Sequence, residues 1–66
     1  MGRLFEFRNV IEDKVKGMGA DAFKVKGKIG LQSGILIGMI QANTPDDPAQ
    51  VRALREAIKA VLGVNV

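Results

Sequence analysis

The chain has 66 residues, of which 47% are hydrophobic and 26% charged, with a mean hydropathy of +0.11, so it belongs with folded rather than disordered chains. It contains no cysteine and no histidine, which excludes disulfides, thiolate chemistry, the usual zinc sites and the side chain that most often moves protons near neutral pH. Ten Lys and Arg against seven Asp and Glu give a net charge of +3, a mild excess that favours anionic partners.

A chain of this size buries only about 60% of the surface its extended form exposes. One domain over 1–66 is expected, with no catalysis, no cofactor and no metal site. Self-association, as a homodimer, would supply burial that the single core lacks.

In the first block Leu4, Phe7, Val10, Ile11, Val15 and Met18 recur at steps of three and four, with charged residues on the other arc. That spacing predicts an amphipathic helix, stopped at about Lys16 by Gly17 and Gly19. Arg3, Glu6, Arg8, Glu12 and Asp13 interrupt any leader-like apolar run, so a cytoplasmic protein is expected. The longest largely apolar stretch, 29–42, is short of the roughly 20 residues that span a bilayer.

The middle block admits two readings. From Phe23 to Gln32, Phe23, Val25, Gly27, Ile29 and Leu31 alternate with Lys24, Lys26, Lys28, Gly30 and Gln32, the period of a half-buried strand. Gln32-Ser33-Gly34 would turn the chain into a second strand over 35–40. The fold expected on this reading is α+β, in the order helix, β-hairpin, helix, with Val64-Asn65-Val66 as a possible short third strand. The alternative is all-α. Asp21 would cap a helix over 22–29, Gly30 would lie in a turn, and a second helix would run from Ser33 to Gln41.

The last block opens with Asp47-Pro48-Ala49-Gln50, a capping side chain followed by a first-turn proline and a Gln three residues on. Val51, Leu54, Ile58 and Val61 then recur at helical spacing until Gly63. A helix over about 48–62 is predicted.

Few motifs carry chemistry. Gly17-Met18-Gly19-Ala20-Asp21-Ala22 matches a loose dinucleotide-binding pattern but follows a helix rather than a strand, and reads as a loop. Gly30, Gly34 and Gly38 stand four apart, the spacing of a flat groove if they share a helix. Asp46 and Asp47 read as caps. Lys24, Lys26 and Lys28 are the candidate binding residues: on a strand they share a face at about 7 Å spacing, suited to a phosphate backbone or another anionic surface. With only Phe5, Phe7 and Phe23 as aromatics, base stacking is disfavoured.

Two family resemblances accompany these readings. Val25, Ile29, Gly30, Leu31, Leu36 and Met39 are spaced in a way that resembles the phage-repressor helix-turn-helix, which implies DNA binding; Lys26 stands where that family keeps a small alanine. The order helix, strand, strand, helix, short strand, with Gly34 and the closing Gly63-Val64, resembles the small BON domains, which implies contact with phospholipid. The function expected from the residues themselves is a non-catalytic binding or self-assembly module with a basic face. The alternative is a nucleic-acid-binding protein of divergent helix-turn-helix type.

Overall fold

The computed structural model describes residues 2–66, and among them the elements are α1 (Arg3–Val15), α2 (Asp21–Ser33), a single 3-10 turn (Ile37–Met39) and α3 (Pro48–Leu62). No strand is present among the described residues. The expected α+β fold with a hairpin is therefore corrected to a three-helix bundle, and the resemblance to BON domains, which rested on the hairpin, goes with it.

The outer helices form for the reasons read in the sequence. Leu4, Phe7, Ile11 and Val15 make one buried stripe along α1, and left-handed Gly17 and Gly19 (φ +88° and +63°) carry the chain away from its end. At the start of α3 the Asp47 carboxylate accepts from the Ala49 amide at 2.9 Å and Pro48 occupies the first turn. Gly63 (φ +70°) closes the helix, its amide donating to the Lys59 carbonyl at 2.9 Å. Leu54, Ala57 and Ile58 face inward, against both α1 and α2.

The middle of the chain is helical although this leaves Phe23 and Leu31 exposed: a helix satisfies its backbone bonds within itself, whereas a lone two-stranded hairpin is marginal in water. Ile29 is fully buried in α2, with Ala22 and Val25 packed partly buried on the same side. Asp21 is the first helical residue rather than the cap; the capping position is Ala20, with helical backbone and no side-chain bond. The helix continues through Gly30 and ends at Gly34 (φ +73°), whose amide donates to the Gly30 carbonyl at 2.8 Å. Ser33 finishes the turn: its hydroxyl donates to the Ile29 carbonyl at 2.7 Å and accepts from the Ile35 amide at 3.2 Å.

The all-α alternative is right about helix over 22–29 and wrong beyond it: the turn it placed at Gly30 is helix, and the first helix ends only at Gly34. Where it placed a second helix over 33–41, the chain makes only the 3-10 turn, with extended backbone at Leu36 and Ile40 on either side. Ile37 and Ile40 are both buried, and three residues per 3-10 turn put them on one side. The Arg8 guanidinium pins this segment, Nη1 donating to the Ile40 carbonyl at 2.9 Å. The expected strand over 64–66 is absent; Val64 and Val66 pack partly buried against the core without sheet pairing.

Candidate docking surface

The three candidate lysines all lie on α2, and the helix separates them. At about 100° per residue, Lys24 and Lys28 are neighbours one turn apart while Lys26 lies roughly 200° round from Lys24. Lys24 and Lys28 are exposed. Lys26 instead reaches α1, its Nζ 3.4 Å from Glu12 Oε1, and lies 5.7 Å from the centre of the Phe23 ring. The row of three that a strand would have presented is thus a pair plus one lysine engaged within the chain.

A different surface stands out on the same helix. Phe23 and Leu31 are 82% and 86% exposed, and Leu36, just past the helix end, is 70% exposed. Between them the helix carries glycine. Two adjoining hollows of about 380 and 400 Å³ lie here, the first lined by Gly27, Gly30, Leu31, Gly34 and Leu36, the second by Phe23, Gly27, Leu36 and Gly38. Lys26 and Ile37 line both. The result is a shallow apolar trough with a backbone floor, one wall formed by the large side chains of α2 and the other by the segment after it.

The residues that build this trough were missed as a site in the sequence, although their signal was there. Phe23, Gly27 and Leu31 recur every four residues, which on a helix is one row. The glycine spacing that was noticed divides differently: Gly30 lies in α2, Gly34 caps it, and Gly38 belongs to the 3-10 turn.

The paired aspartates serve two helices. Asp47 caps its own helix, as expected, while Asp46 reaches across the fold to the start of α1. Its Oδ2 accepts from the Arg3 amide at 3.1 Å and its Oδ1 from the Leu4 amide at 3.4 Å. The loop before α3 is thereby tied to the opposite end of the chain. The loop reading of residues 17–22 holds for 17–20, while Asp21 and Ala22 open α2, their amides bonded to the Met18 and Gly19 carbonyls of the loop.

Comparison with protein-family models, with curated proteins and with solved structures finds no match. The functional reading therefore rests on the residues themselves. Among the described residues no helix is long and apolar enough to cross a membrane.

Proposed function

We infer that the chain is a non-catalytic module that binds another polypeptide through the apolar trough on α2. One observation carries this reading. Among the described residues, the large apolar side chains left exposed, Met18, Phe23, Leu31, Leu36 and Met39, all come from the stretch 18–39, while those of α1 and α3 face the core or are partly covered. A monomer of this size gains nothing from a concentrated apolar face; such patches mark interaction surfaces. Lys24 and Lys28 sit beside the patch as its polar rim, the usual arrangement around an apolar interface centre.

Nucleic-acid binding has less support. The outward side of α2 offers Phe23, Gly27 and Leu31 where base readout needs polar side chains, and the reading helix expected over 33–41 is replaced by a 3-10 turn. A titration of dilute protein with Nile red, an uncharged dye that fluoresces on apolar surfaces, tests the choice. Dye binding should fall in Phe23→Ser and Leu31→Ser and persist in Lys24→Glu/Lys28→Glu. Dye binding indifferent to positions 23 and 31, together with duplex DNA binding that weakens steeply with salt and vanishes in the double Glu variant, would replace this reading by the nucleic-acid one.

A further inference from the structure

We propose that the occupant of the trough is a second copy of this chain, seated antiparallel on α2 about a two-fold axis that passes beside Gly27. This rests on the interaction reading above and supplies its partner.

The exposed row is its own complement. Phe23 and Leu31 stand four residues before and four after Gly27, on one row of the helix. In a two-fold antiparallel pair, the residue n places before Gly27 meets the residue n places after it in the other copy. Phe23 of one copy then meets Leu31 of the other at both ends, and the two glycines meet at the centre. The incoming Phe23 settles beside Leu31, over the floor of Gly30 and Gly34, which is the first of the two hollows.

Gly27 has no task inside its own chain. Gly30 has one, since a Cβ there would stand 3.2 Å from the Ile35 carbonyl oxygen, and Gly34 adopts the left-handed backbone of a helix cap. A Cβ on Gly27 would meet nothing within 4 Å. Glycine inside a helix weakens it, so its bareness here serves something that arrives from outside. A neighbouring helix can approach to the short end of the usual 8–10 Å range where the crossing point carries no side chain.

The area fits a weak dimer. Phe23, Leu31 and Leu36 expose on the order of 150 Å² each, so a pair covers roughly 1,000 Å² once the glycine floor is counted, the lower bound for a specific interface. A two-fold contact covers both copies' patches at once. It also brings Lys24 and Lys28 of the two copies to the same flank, where like charges oppose the contact and added salt relieves them.

Sedimentation equilibrium from about 1 μM to 1 mM, at low and high salt, tests the pairing. The wild-type chain should form a dimer that tightens as salt rises. Leu31→Lys should abolish it while leaving the circular dichroism spectrum unchanged. Gly27→Ala is the sharper variant: it should weaken the dimer about tenfold or more while raising the melting temperature of the dilute chain, a pair of changes that a fold defect cannot produce. A wild-type chain monomeric at the highest concentration, a dimer that weakens with salt, or a dimer untouched by Gly27→Ala overturns the proposal. If the chain stays monomeric but Nile red still binds through Phe23 and Leu31, the self-pairing alone falls and the trough awaits a different polypeptide; if that dye binding also fails, both readings fall.

Discussion

Asp46 is the residue whose removal should be felt farthest from where it sits. Its carboxylate accepts hydrogen bonds from the Arg3 and Leu4 amides, two of the donors that a helix N-terminus leaves without an internal partner. Asp46→Ala returns both amides to water and withdraws a negative charge from the positive end of the α1 dipole. Loss of a cap costs about 1 kcal/mol, and an exposed charge at a helix end contributes a further ~0.3–1 kcal/mol. The sum, about 1–2 kcal/mol, corresponds to a fall in Tm of roughly 5–15 °C in a domain this small. Thermal unfolding of the dilute chain, followed by circular dichroism, measures it. Hydrogen exchange should place the loss at the first turn of α1 rather than in α3. Gly2→Ala is a second route to the same bond, because a Cβ at Gly2 would stand 2.5 Å from Asp46 Oδ1 and displace it. Asp47→Ala removes the cap of α3 instead, at a similar cost, and the two losses should add, since they act on different helices. An Asp46→Ala chain as stable as wild type, or one whose extra exchange lies at α3, would refute the assignment of this side chain to α1.

The phase of α2 has its own test: Ile29→Ala should cost about 2–5 kcal/mol because the side chain is fully buried, whereas Leu31→Ala should stay within about 0.5 kcal/mol of wild type in the dilute chain. A strand would have put both residues on one face and made the two losses alike. Arg8→Ala removes the bond to the Ile40 carbonyl and should cost about 1–2 kcal/mol, with exchange rising around residues 37–41 by NMR. The ion pair between Glu12 and Lys26 is partly exposed, so Glu12→Gln should cost no more than about 1 kcal/mol in urea unfolding, and less at high salt.

What could be read in advance was what local chemistry decides. The start and end of α3 followed from Asp47, Pro48 and Gly63, and the end of α1 from Gly17 and Gly19, because each acts on its own backbone. What could not be read was non-local. Nothing in the order of residues says that Asp46 will cap a helix 43 positions away, or that Arg8 will hold Ile40. The segment from Ile35 to Ile40 has the β-branched content of a strand; with Arg8 bonded to its carbonyl and Ile37 and Ile40 turned inward together, it became a 3-10 turn.

The ambiguity of the middle block and the presence of the docking surface have one cause. A helix with a single apolar side shows a repeat near 3.6. In α2 there are two apolar rows, Val25 and Ile29 toward the core and Phe23, Gly27 and Leu31 toward solvent, about 200° apart. Read along the chain, positions 23, 25, 27, 29 and 31 step from one row to the other and back, and the lysines fall on the arcs between. The sum imitates the alternation of a strand. The inner row is what the fold needs; the outer row adds exposed apolar area without serving the core. The two are therefore separable: replacing Phe23 and Leu31 by polar residues should leave an ordinary amphipathic helix, folded as before, with the interaction face erased.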